Sequence, residues 1–176
     1  MSRLVLIGGG ARSGKSRFAE ASATALEGPR AYVATAEPFD DELRARIARH
    51  RADRGDAFET VETPLTLAQT LESLPHPVVV VDCLTLWLGN LLHHGWEDER
   101  IEDEIAHVAR AARGRHGTTC VVINEVGLGI VPASPMARSF RDLSGRAQQR
   151  FASVADQVVF CVMGMHLQLK PTLAVV

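Results

Sequence analysis

Aromatic side chains are scarce in this chain of 176 residues: six Phe, two Trp and one Tyr, 5% in all. Surfaces that grip single-stranded nucleic acid stack bases on such rings, so no nucleic-acid partner is expected. Excess charge of one sign is also missing. Nineteen Lys and Arg stand against 21 Asp and Glu, a formal net charge of −2, and no global basic field draws in a polyanion. Long hydrophobic runs are absent. No apolar stretch reaches the length that crosses a bilayer. The Met-Ser-Arg start enters a short strand rather than a signal peptide. A cytoplasmic chain with no membrane partner is therefore expected. Cysteine is limited to Cys83, Cys120 and Cys161, each in or beside an apolar run. An odd, scattered set predicts reduced, buried thiols rather than a disulfide framework.

What is present suits a globular core. Hydrophobic residues make up 46% of the chain and charged residues 23%, which predicts one domain over 1–176. Short apolar runs predict strands at Leu4–Ile7, Ala31–Thr35, Phe58–Glu62, Val78–Val81, Cys120–Ile123 and Val158–Val162, with a short edge strand over Leu167–Lys170. Val78–Val81 shows no polar alternation, so it reads as buried on both faces. Helical segments fall between them: Ser16–Leu26, Asp40–Ala52, Leu65–Leu74, Leu84–Leu92, Arg100–Arg113 and Met136–Val154. Such alternation predicts an α/β fold with a mostly parallel sheet and helices on both faces. Gly127–Pro135 (GLGIVPASP) is the most loop-like stretch. It follows a strand end, where open α/β sheets gather ligands.

Gly9, Gly10, Ala11, Arg12, Ser13, Gly14, Lys15 and Ser16 match G-x-x-x-x-G-K-[ST] at every fixed position. The motif follows a predicted strand and opens a predicted helix, its confirming context. Gly9 and Gly14 permit backbone angles denied to other residues. Main-chain N–H groups can then turn inward on phosphate oxygens, and the helix points its positive end at the same anion. Lys15 supplies a cation for the β- and γ-phosphates, and the Ser16 hydroxyl suits Mg²⁺. The motif predicts a P-loop NTPase of the RecA-like kind that binds a nucleoside triphosphate with Mg²⁺. A plain glycine turn with a surface lysine would not need those flanks. Asp82 ends the valine strand, where a carboxylate can hold or orient the metal. Its competing reading is an N-cap for the helix at Leu84. Glu125, also at a strand end, fits two readings equally: orienting substrate or metal, and capping a turn.

Arg46, Arg49, His50, Arg51 and Arg54 cluster on and beyond one helix, followed by Glu59 and Glu62. Arg46 and His50 are four apart and share a helix face. A neutral imidazole is a competent nucleophile toward phosphorus. Spacing alone nevertheless favours the plainer reading, a solvated basic face with an ordinary histidine. His93 and His94 lack the i, i+4 spacing of a helical metal pair and read as solvent- or partner-facing.

Three blocks then bear on family: GGARSGKSRFAE, YVATAEPFDDELRARIARHRADR, and NEVGLGIVP followed by ARSFRDLSGRAQQRFA. Together they resemble the bifunctional adenosylcobinamide kinase/adenosylcobinamide-phosphate guanylyltransferase family, in order from Leu4 to about Val162. The run Asn124–Pro132 is not a general P-loop feature. The resemblance implies two reactions of late cobalamin assembly. A nucleoside triphosphate, ATP or GTP, phosphorylates the aminopropanol hydroxyl of adenosylcobinamide. GTP then guanylylates that phosphate through a GMP–histidine intermediate, with release of pyrophosphate. It implies His50 as the histidine. It implies nucleotide contacts from Gly9–Ser16, from Ala34, Thr35 and Ala36, from Arg51, Ala52, Asp53 and Arg54, and from Glu62 and Asp82. Metal contacts fall on Ser16 and Asp82. A carboxylate such as Glu62 is suited to accept from guanine N1–H and N2–H₂, groups adenine lacks. A homo-oligomer is implied, with Trp87, Leu88 and Trp96 as candidates for its interface or for ordinary packing. Another small-molecule P-loop kinase without nucleotidyl transfer, and a nucleotide-dependent module of a RecA-like assembly, are the alternatives.

Overall fold

The computed structural model describes residues 1–39 and 41–171. Within one helix the side chains of Glu42, Leu43, Arg46, His50, Asp53 and Arg54 lie outside the described set. The elements run β1 (Ser2–Gly9), α1 (Lys15–Thr24), β2 (Arg30–Ala34), α2 (Asp41–Arg54), a 3₁₀ turn (Gly55–Ala57), β3 (Glu59–Glu62), α3 (Leu67–Ser73), β4 (Val78–Asp82), α4 (Leu84–His93), α5 (Asp98–Gly114), β5 (Gly117–Asn124), α6 (Pro135–Val154), β6 (Gln157–Val162) and β7 (Met165–Lys170).

The strands form one sheet in the order β3-β2-β4-β5-β1-β6-β7. β1 to β6 run parallel, and β7 lies antiparallel on β6. The C-terminal ends of six strands therefore share one edge. Register fixes who meets there. Gly9 pairs with Asn124 on one side and Cys161 on the other. Ala34 pairs with Asp82 and with Glu62. β5 stands between β1 and β4.

Strand alternation sends successive side chains to opposite faces. One face carries Leu4, Leu6, Val79, Val81 and Val121, buried with residues of α3, α4, α5 and α6 such as Leu71, Leu88, Ile105 and Phe151. The other carries Val5, Ile7, Val80 and Val122 under Ala19 and Ala23 of α1. Ser134 caps α6, its hydroxyl accepting from the Ala137 N–H at 3.2 Å, and Pro135 opens the helix; Pro lacks an N–H that the first turn cannot use. Asp98 and Glu99 occupy the first turn of α5, where the helix dipole favours them.

The predicted fold class holds: a mostly parallel seven-stranded sheet with helices on both faces. All three cysteines are free and buried. Among the described residues no helix is long and apolar enough to cross a membrane. Several expectations need correction. Trp87 and Leu88 are fully buried in the core, and the Trp87 indole donates to the Leu65 carbonyl at 3.0 Å, so neither is an interface residue. Trp96 is partly buried, with the Arg100 guanidinium over its ring. Asp82 is not the N-cap of α4; Cys83 holds that position. β5 begins at Gly117, not Cys120, because the polar start of the strand pairs with Ser2, Arg3 and Leu4, which hydrophobicity does not report. β7 begins at Met165 rather than Leu167. The expected helix start at Asp40 lies outside the described residues.

Candidate active site

The loop Gly10–Gly14 joins β1 to α1. Gly9 is needed because a Cβ there would stand 2.4 Å from the Cys161 carbonyl oxygen and 2.5 Å from the Ser13 hydroxyl. Gly14 caps α1 at φ 97°, a left-handed conformation that costs glycine little. Two neighbouring segments hold the loop. The Glu125 N–H donates to the Gly9 carbonyl at 2.9 Å, and the Gly164 N–H donates to the Ser13 carbonyl at 3.1 Å. The Lys15 ammonium donates to the Gly10 carbonyl at 3.0 Å and is only 8% exposed, which holds the cation over the loop instead of in solvent. The Ser13 hydroxyl is buried without a partner. A loop at a helix N-terminus that buries Gly9, Ser13 and Lys15 and leaves Ala11 and Arg12 exposed, with the lysine folded across it, has the make-up of an anion cradle.

Two strands away, Asp82 ends β4. Its Oδ2 accepts from the Tyr32 hydroxyl at 2.6 Å. Thr35 ties the ends of β2 and β4 together. Its hydroxyl donates to the Cys83 carbonyl at 2.7 Å and lies 2.8 Å from the Cys83 N–H. The Asn90 amide donates to the Thr35 carbonyl at 2.7 Å and to the Pro64 carbonyl at 3.0 Å. Thr35 is fully buried, so its side chain braces the edge; Ala34 and Ala36 are half-buried beside it. At the β5 end, the Asn124 N–H donates to the Thr85 hydroxyl at 2.7 Å, and the Glu125 carboxylate accepts from the Gly127 N–H. That contact is the turn-capping member of the two readings of Glu125. The Cys83 thiol is pushed up to about 12, by burial first and then by the Asp82 charge. Burial lifts Cys120 to about 11 against the pull of Arg3, and raises Cys161 against the pull of Lys15. Burial thus favours the protonated thiol at all three positions.

The other predicted residues lie on the β3 side. α2 follows β2 and carries Arg51, which is exposed and 3.8 Å from the exposed Glu62 carboxylate at the end of β3. Ala52 is exposed. His50, Asp53 and Arg54 lie on the same helix, and their side chains are outside the described residues, as is that of Arg46. His93 and His94 do not simply face solvent. His94 meets the Glu37 carboxylate at 3.0 Å, and His93 packs on the Phe39 ring with centroids 4.4 Å apart. Sequence reasoning missed the β6–β7 turn at Met163-Gly164 as a wall of the cradle. A glycine between two short strand-like runs was its only trace. It also missed Tyr32 on Asp82, a contact between residues 50 apart. Among the described residues no group of three or more His, Cys, Asp or Glu could hold a metal.

Fold and cradle together define a P-loop NTPase-type nucleotide enzyme. Residues 5–169 match the family model for cobinamide kinase / cobinamide phosphate guanyltransferase, and the chain belongs to that family. It is 41% identical to the bifunctional adenosylcobalamin biosynthesis protein CobP of Pseudomonas aeruginosa, over 94% of this chain and 96% of that protein. It is 37% identical to the corresponding CobU of Escherichia coli, over 95% and 99%. The flagellar accessory protein FlaH of Methanocaldococcus jannaschii shares the fold, with a TM-score of 0.54 over 96% of this chain and 78% of that one, at 13% identity. The chain is accordingly a bifunctional kinase and guanylyltransferase of cobalamin biosynthesis.

Proposed function

We propose that residues 1–176 act as one nucleotide-binding domain that performs both reactions of the family at the shared strand edge, in the cytoplasm, with adenosylcobinamide as acceptor. The supporting observation is the buried Lys15 ammonium folded over a loop braced on both flanks. In this reading Gly9–Ser16 hold the triphosphate, and their N–H groups and Lys15 offset the charge that gathers on it in transfer. Mg²⁺ fits the donor set: the Ser16 hydroxyl and the Asp82 carboxylate are oxygen ligands, and this ion takes few protein ligands beside substrate phosphates. When bound, it would neutralise phosphate charge. Tyr32 occupies one carboxylate oxygen of Asp82 and fixes its orientation. Ala34, Ala36, Arg51, Ala52, Asp53, Arg54 and Glu62 line the nucleotide's remaining path, with Thr35 bracing the strand ends behind them.

The kinase step forms a bond from the acceptor hydroxyl oxygen to the γ-phosphorus, breaks the bond from that phosphorus to the β-phosphate oxygen, and releases the hydroxyl proton to water. In the transferase step an imidazole nitrogen of His50 attacks the α-phosphorus of GTP, and pyrophosphate leaves. The phosphate of the acceptor then attacks that phosphorus and the P–N bond breaks, which restores neutral His50. GTP labelled at the α-phosphorus should give acid-labile, base-stable labelled protein, and GTP labelled at the γ-phosphorus should not. His50→Ala should abolish the label and keep kinase activity within a few-fold of the wild type. Undiminished labelling of that variant would remove His50 from the mechanism.

A further inference from the structure

The loop between β5 and α6 holds its apolar side chains out in solvent. Leu128 is 86% exposed, Ile130 97% and Val131 61%. Across the cradle, Met163 at the tip of the β6–β7 turn is exposed as well. A lone exposed leucine is ordinary. Three large aliphatic residues among four successive positions, at the rim of a ligand site, form a patch of the kind that marks binding.

This loop is fastened at both ends. At its start the Glu125 N–H bonds the Gly9 carbonyl, and the Glu125 carboxylate accepts from the Gly127 N–H. At its end Arg138 donates to the Pro132 carbonyl at 3.1 Å and to the Ala133 carbonyl at 2.6 Å. Leu128 is three residues past Glu125, so chain length keeps it within roughly 11 Å of that anchor. β5 ends between the cradle on β1 and Asp82 on β4, strands about 4.8 Å apart. The loop therefore lies beside both ends of the site that would hold a triphosphate, within reach of an acceptor of its phosphates. The family's acceptor is a cobinamide, a broad macrocycle with apolar faces that carries its reacting group on a flexible arm. Such a ring needs an apolar seat next to the phosphates, and the loop supplies one that is continuous with the cradle through the Glu125–Gly9 bond.

We propose that Leu128, Ile130 and Val131 are the seat for one face of the corrinoid macrocycle, with Met163 bounding its far side. The inference rests on the function proposed above. The test is equilibrium titration of cobinamide, followed by its visible absorbance, into the full chain with Mg²⁺ and a non-hydrolysable GTP analogue. The variants are Leu128→Ser/Ile130→Ser/Val131→Thr and, alone, Ile130→Asp. Leu169→Ser, an exposed apolar residue on β7, is the control. Both loop variants should raise the cobinamide Kd at least tenfold, while GTP-analogue affinity, melting temperature and sedimentation mass stay at wild-type values and the control is silent. A Kd within twofold of wild type in both loop variants overturns the seat. A weakened Kd that comes with a change in sedimentation mass also overturns it, because the patch is then a contact between subunits. A wild-type chain that binds the nucleotide analogue and no cobinamide defeats the functional reading itself, a separate result from the first two.

Discussion

Gly9 shows how much a single hydrogen can carry. Its position in the motif announces a glycine, and the usual reason is backbone freedom. The structure adds a second reason: the Cys161 carbonyl of β6 and the Ser13 hydroxyl occupy the space of a side chain. Ser13 can rotate away from a methyl group, but a strand carbonyl paired in the sheet can move only by shifting β6. Gly9→Ala should therefore lower stability by about 1–3 kcal/mol and weaken GTP-analogue binding together with it. Urea unfolding and a fluorescent GTP analogue read the two effects. Wild-type values in both would show that the cradle tolerates a Cβ and that the close approach does not constrain it. Thr35 teaches the complementary lesson. It sits in a stretch that resemblance marks for nucleotide contact, yet its hydroxyl is engaged with the Cys83 peptide. A residue can belong to a site by holding two strand ends level, a role that no local pattern reports.

At the scale of elements, the strand-and-helix alternation was legible because the parallel strands are buried and read as plain apolar runs, Val78–Val81 above all. The cradle was legible because a backbone that wraps an anion demands fixed glycines. Boundaries set by pairing between distant chain segments were not legible, and neither was any contact across sequence. The connection between β2 and α2 illustrates this. Glu37 meets His94 and Phe39 packs on His93, so the end of α4 fastens the lead-in to the helix that carries His50. Nothing in an adjacent histidine pair announces that contact, because its partners lie more than 50 residues away. Loss of both rings removes the Glu37 and Phe39 contacts with α4, while the Phe39 N–H keeps its bond to the Glu37 carbonyl. In His93→Ala/His94→Ala, amide exchange should accelerate at least several-fold at Ala36, Glu37 and Phe39, since local opening follows local contacts. Exchange in β5 and in the cradle should keep its wild-type rate. Unchanged exchange at Ala36, Glu37 and Phe39 would mean that the two contacts do not restrain the connection.

For the whole molecule, the buried thiols tie stability to pH. Cys83 and Cys120 sit in the second core cluster, under α1, and their folded values stand at about 12 and about 11 against 9.0 for a free thiol. Below pH 9 both thiols are protonated, folded or unfolded, and they contribute no slope. Above pH 9 the unfolded chain releases these protons while the folded chain keeps them, so hydroxide favours unfolding. Stability held below pH 9 is thus lost as pH rises, up to about 11 for Cys120 and about 12 for Cys83. Linkage sets the slope at about 1.4 kcal/mol per pH unit for each thiol in that window. Other groups bear on alkaline stability too, which makes the difference between proteins the informative quantity. Urea midpoints taken from pH 8 to pH 10.5 should fall steeply for the wild-type chain. They should fall with a slope shallower by one thiol's share in Cys120→Ala, whatever stability that variant loses at pH 8 from its smaller side chain. Parallel curves for the two proteins would assign the alkaline loss to other groups and deny that the thiols are kept neutral by the core.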